Sequence, residues 1–199
     1  MRVLNRLFAG VLIVALAACG SIPYEKPEDQ EKIKRDLNMG TTPIALVPLK
    51  WGYFKYGAEE NDVTTIRSLA VIQSGVLSIV GYEQNKYIRQ AEFSRDSVDC
   101  AYIHLNQAGE GTVWLMQKDR VVYLDTGDDR GVADQALHYS LVDGLSSAGF
   151  PIHRESQGKT YRETGVSDRK VVLQPGYGMR AEELQRVEVF NVCGGSFRS

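Results

Sequence analysis

The sequence predicts an α+β fold: a mostly antiparallel sheet carrying one main amphipathic helix, folded as a single domain over residues 44–199. Three observations predict it. Runs of β-branched and apolar residues recur from Ile44 to Asp125 with turn residues between them. One stretch, about 132–148, switches to the three- and four-residue spacing of a helix. Strand-like runs then resume toward the C-terminus. The chain has 199 residues, enough for one domain with a substantial core even after an N-terminal leader is set aside.

The elements follow in order. Residues 19–43 read as a flexible tether, because Pro23, Pro27, Pro43 and the charged stretch from Glu25 to Asp36 offer little to bury. Within it Ile33 and Leu37 share a face at i,i+4 spacing, which allows a short helix over about Glu28 to Leu37 but lacks a core stripe. Ile44–Leu49 is an apolar run broken by Pro48, the mark of an edge or bulged strand. Trp51, Tyr53 and Lys55 then alternate with Gly52, Phe54 and Tyr56, as in an aromatic-rich strand. Thr64–Ser74 and Val76–Tyr82 turn at Ser74-Gly75. Val98–Leu105, Thr112–Gln117 and Arg120–Asp125 continue the series, with Lys118-Asp119 as a hairpin between the last two.

Ala133, Ala136, Leu137, Ser140, Leu141, Leu145 and Ala148 form the stripe of the main helix. Asp128 or Asp129 can cap its start, with Asp134 well placed in the first turn. Gly149, Phe150 and Pro151 stop it. Pro151–Glu155, Thr160–Glu163 and Lys170–Gln174 read as short strands, Ala181–Arg186 as a turn or two of helix, and Val187–Val192 as a last strand running into Cys193.

The first twenty residues are of another kind. Arg2 and Arg6 precede an apolar run from Leu7 to Leu16. A membrane span needs about 20 residues, whereas the apolar core of a secretion signal needs about 7–15. The run ends in Leu16-Ala17-Ala18-Cys19-Gly20, which resembles the lipobox of bacterial lipoproteins. The resemblance implies that residues 1–18 are a signal peptide and that Cys19 becomes the acylated first residue. Its partner is then the lipid bilayer, because two or three acyl chains, at about 0.8 kcal/mol per buried methylene, anchor stably where one does not. Gly20 in place of an acid points to the periplasmic face of the outer membrane rather than the inner membrane.

With Cys19 committed to lipid, Cys100 and Cys193 remain in an oxidising compartment. Two such cysteines are expected to pair, closing a loop of roughly 90 residues with about 4–5 kcal/mol of stabilisation. Without residues 1–18, which hold two basic residues and no acid, the net charge moves from −2 to −4. No stretch clusters Lys and Arg, so nucleic acid is not an expected partner.

No chemical motif dominates. Asp125-Thr126-Gly127 after an apolar strand resembles the active-site loop of retropepsin-type aspartic proteases, which implies Asp125 as half of a carboxylate dyad. Asp128 departs from that pattern, where a small residue is usual. The competing reading is a polar turn that caps the helix. Asp125, Asp128, Asp129 and Asp134 have ligand types suited to calcium but not EF-hand spacing. Ser146 and Ser147 do not form a GxSxG elbow, and His104, His138 and His153 are isolated in sequence. HExxH, Walker and GxGxxG patterns are absent, so neither a metal nor a cofactor is expected. Trp51, Tyr53 and Tyr56 are candidate ligand-binding aromatics for a sugar or peptide.

Residues 120–155, a strand, a helix and then Gly-Phe-Pro-Ile opening a strand, resemble the strand–helix–strand units of small envelope-assembly lipoproteins. That resemblance implies an accessory subunit. The expectation is therefore a non-enzymatic envelope lipoprotein that binds or scaffolds another envelope protein. The alternatives are an anchored aspartic-type hydrolase using Asp125 and a glycan-binding module using Trp51 and Tyr53.

Overall fold

The computed structural model describes residues 22–57, 63–106, 109–128, 132–174 and 178–194, with side chains described outside 105–110 and 167–187. The leader and Cys19 lie outside the described residues. The elements are α1 (Pro27–Asp36), β1 (Ala45–Lys55), β2 (Ile66–Gln73), β3 (Val76–Glu83), β4 (Lys86–Ser94), β5 (Cys100–Asn106), β6 (Gly109–Met116), β7 (Arg120–Asp125), α2 (Gln135–Ser147), β8 (Ile152–Arg154), β9 (Tyr161–Gln174) and β10 (Gly178–Val189). Strands β1 to β8 form one sheet in the order β4-β3-β2-β1-β7-β6-β5-β8, and β9 pairs with β10 in a separate two-stranded ribbon. Every pairing is antiparallel except that of β5 with β8. The α+β architecture with one main helix is thus the observed one.

Strand β1 merges the two runs that the sequence divides at Lys50. It pairs with β2 through Ala45–Trp51 but with β7 only through Lys50–Lys55. Pro48 therefore lies in the half that has a strand on one side alone, where a missing N–H is easiest to accommodate. Strand β4 has no counterpart in the sequence reading. Of its nine residues only Tyr87 and Phe93 are buried, while Ile88 faces solvent at 45% exposure. An edge strand so lined with Lys86, Arg89 and Glu92 lacks a clean apolar alternation.

Alternation along the strands divides the core between the two sheet faces. On one face Val47, Ile72, Ile79, Ile103, Leu115 and Leu124 pack against Leu141, Val142 and Leu145 of α2. Gly144 lets this helix approach closely, since a Cβ there would stand 2.8 Å from Ile72 Cδ1 and 3.0 Å from Ala45 Cβ. The helix stops as expected, with Gly149 at φ +86° and Phe150 buried. On the other face α1 covers β2 to β4, and Phe54, Tyr102, Trp114, Met116 and Val121 form a second cluster toward β5.

Two local expectations need correction. Residues 22–43 are not a free tether. Ile33 is fully buried and Leu37 nearly so, against Leu69, Val71, Val80 and Tyr87. Two apolar side chains one turn apart suffice because the sheet supplies the rest of the apolar surface. Residues 181–186 are strand rather than helix: Ala181 lies opposite Val171, Glu182 opposite Lys170 and Gln185 opposite Ser167. Ladder pairing there overrides the helix propensity of an Ala-Glu-Glu-Leu-Gln-Arg run.

Candidate functional site

The Asp-Thr-Gly segment forms the turn that carries the chain from β7 to α2. Asp125 Oδ2 lies 3.0 Å from Lys50 Nζ, its partner across the β1–β7 ladder, and Asp125 Oδ1 accepts the Gly127 N–H at 2.7 Å. Lys50 Nζ also donates to the Asp128 carbonyl at 2.8 Å. Asp128 Oδ1 accepts the Val132 N–H at 3.0 Å, and the Asp128 N–H returns a bond of 2.9 Å to Val132 O. Asp134 is the N-cap of α2, its Oδ1 accepting from the Leu137 N–H at 3.1 Å. A Cβ on Gly127 would meet Asp125 Oδ1 at 2.9 Å and Val132 O at 3.1 Å, so the tight turn needs glycine.

Asp125, Asp128 and Asp134 thus each serve a cation or a backbone N–H, while Asp129 lies outside the described residues. In a retropepsin-type dyad the second carboxylate comes from the same loop of a second subunit; within this chain, among the described residues, the charged group that meets Asp125 is the Lys50 ammonium. Asp128 and Asp134 hold the turn and the helix start. A cavity of about 380 Å³ opens beside them, lined in part by Ile22, Pro48, Lys50, Arg67, Asp128 and Leu137. It lies along the half of β1 that β7 leaves uncovered.

The candidate aromatics are not gathered on one surface. Trp51 packs into the α2-side core, edge-on to Phe93, and donates from Nε1 to Gln90 Oε1 at 3.3 Å. Tyr53 is 61% exposed with the Arg120 guanidinium over its ring. Tyr56 is half-buried in the opposite cluster, its hydroxyl donating to Gln117 O at 2.7 Å, and burial raises its pKa. Only Tyr53 of the three presents a ring to solvent.

Sequence reasoning missed a second polar cluster. The register of β5 with β6 and β8 sets Tyr102 beside Trp114 and His153, and His104 beside Thr112. His104 stacks on Trp114 at 4.7 Å, and Tyr102 stacks on His153 at 5.7 Å. Glu155 approaches His104 Nδ1 at 3.8 Å and accepts from the Tyr161 hydroxyl at 2.8 Å. Burial first, then the Glu155 charge, pushes up the Tyr102 phenol, and the bond to Glu155 raises that of Tyr161. The alternation on each strand is visible in sequence; the cross-strand register that unites the residues is not.

Cys100 and Cys193 are bridged, with Cα atoms 5.9 Å apart across 93 residues. Asn191 reinforces the join, donating to Asp99 Oδ2 at 2.7 Å and Gln117 O at 3.2 Å, while its Oδ1 accepts from the Cys193 and Gly194 N–H groups. Among the described residues no group of three or more His, Cys, Asp or Glu side chains is placed to hold a metal ion, and no helix is long and apolar enough to cross a membrane.

No family model matches the chain, and no curated protein is similar to it. Partial similarity is found to two solved structures of the Vav1 exchange factor. One concerns the structural role of its PH and C1 domains: TM-score 0.39, 11% identity, covering 59% of this chain and 34% of that one. The other is Vav1 inhibited by an allosteric inhibitor: TM-score 0.41, 10% identity, covering 76% of this chain and 42% of that one. The chain spans less than half the length of either.

Proposed function

We propose that this chain is a bacterial envelope lipoprotein, held to the bilayer through acylated Cys19, whose domain binds or scaffolds another envelope protein. The observation that carries the reading is the Cys100–Cys193 bridge. Disulfides persist in oxidising compartments and are rare in the cytosol of most organisms. That agrees with export through a signal at residues 1–18 and with delivery to the periplasmic face of the outer membrane. The binding role is supported by the way its acids are used: Asp125, Asp128 and Asp134 maintain a turn and leave a lined cavity beside β1.

Replacing Cys19 with Ser tests the anchor. The expected result is a chain that is no longer processed at residue 19 and no longer partitions with membranes after washing at high salt. Normal processing and unchanged membrane retention would refute it. Crosslinking in intact cells, followed by identification of the captured proteins, tests the scaffold role; a chain that captures nothing reproducibly does not have it.

A further inference from the structure

The docking of α1 fixes where an anchored domain must sit. Ile22 is half-buried beside Leu46 and the α1 cluster, and it lines the cavity next to Pro48, Lys50 and Arg67. The Pro23 carbonyl accepts the Tyr87 hydroxyl, so the segment is held to the sheet from its first described residues. Only three peptide steps separate Ile22 from Cys19. Fully extended they span about 10 Å. The headgroup layer of one leaflet is itself roughly 5–8 Å deep, and an acylated cysteine sits at its inner boundary. The slack beyond the headgroups is therefore a few ångströms at most.

The surface at this end is suited to lipid. Ile66 is 52% exposed and directly precedes Arg67 on β2; Val132 is 59% exposed and is tied to Asp128 by two hydrogen bonds. Arg67, which follows Ile66 in the chain, and Asp128, to which Val132 is bonded, line the cavity that Ile22 enters. Removing such aliphatic side chains from water is favourable in proportion to the apolar area covered. Exposed isoleucine and valine beside a short anchor can recover part of that at the headgroup boundary.

We propose that the domain rests directly on the bilayer, with the surface around Ile66 and Val132 against the lipid, rather than standing off on a stalk. This rests on the reading that Cys19 is acylated. The full-length protein, purified from membranes and reconstituted into phosphatidylethanolamine–phosphatidylglycerol vesicles carrying a headgroup nitroxide, tests it. A single fluorophore is placed at Ile66→Cys, at Val132→Cys, or at Ser74→Cys. Ser74 lies in the exposed turn at the other end of β2, about 26 Å from Ile66 along the strand. Labels at 66 and 132 should be quenched several-fold more than the label at 74. The mass of the N-terminal peptide is measured on the same samples. Acylated protein with equal quenching at the three positions overturns this inference and leaves the anchor intact; protein lacking acylation overturns both.

Discussion

Lys50 and Asp125 are 19% and 16% exposed at the side chain, neither free in solvent nor sealed from it. Exposed ion pairs contribute at most about 1 kcal/mol, whereas removing one partner of a buried pair costs about 3–5 kcal/mol. We therefore expect Lys50→Met to lower the unfolding free energy by about 2 kcal/mol in urea titrations, with Lys50→Met/Asp125→Leu recovering part of the loss. A double variant no better than the single would show that Asp125 needs only its bond to Gly127. Gly144 is a sharper case. Alanine there gains about 1 kcal/mol of helix propensity but sets a methyl against Ile72 and Ala45, and overpacking costs about 1–3 kcal/mol. The packing cost should win, lowering the thermal midpoint of Gly144→Ala by about 2–4 °C. Sequence alone shows only the propensity side of that balance. It likewise leaves the helix cap ambiguous, because the Gly127–Ala133 bridge carries the start of α2 on to Asp134.

At the scale of an element, α1 is held by packing and by two ionisable groups in contact. Asp36 accepts from Lys32 Nζ at 2.7 Å and from the Tyr87 N–H at 3.1 Å, and these bonds hold its carboxyl below the usual range. Burial, followed by the charge of Asp29, raises the Tyr87 phenol to about 12. The signs are opposite. The depressed carboxyl stabilises the fold above its unfolded pKa near 4, and this is lost as pH falls through the lower folded value. The raised phenol contributes fully below about 10, and this is lost as pH climbs through about 12. Stability against pH should therefore fall at both ends, Asp36→Asn flattening the acid limb and Tyr87→Phe the alkaline one. Ile33→Ala should cost about 2–4 kcal/mol and expose residues 22–43 to limited proteolysis; unchanged protection would mean that α1 is not held by its apolar contact. Helix α2 could be read from its stripe and its Gly149 stop because local spacing specifies both. Strand β4 and the fate of residues 181–186 could not, because a sheet edge and a ladder partner decide them.

Across the whole molecule the covalent bridge joins the start of β5 to the chain beyond β10. Replacing both Cys100 and Cys193 with Ala should cost about 4 kcal/mol of stability, measured by chemical unfolding; a loss below about 1 kcal/mol would show that the hydrogen bonds of Asn191 hold the join without it. The pairing was legible from the cysteine count together with the expectation of export. The neighbourhood of the bridge was not, since Tyr102, Trp114 and His153 come together only through the order of three strands.

The β9–β10 ribbon has one further consequence. Such two-stranded ribbons are marginal by themselves in water, and both of its long edges lack a third strand among the described residues. Its root is fastened by Thr160 to Phe190, by Arg162 to Glu188, by Tyr161 to Glu155, and close by through the bridge. A thiol reductant is then a remote release: amide exchange over 161–189 should accelerate to a greater extent than that of β1 to β8, turning a fastened limb into a loose one before the body that bears it unfolds.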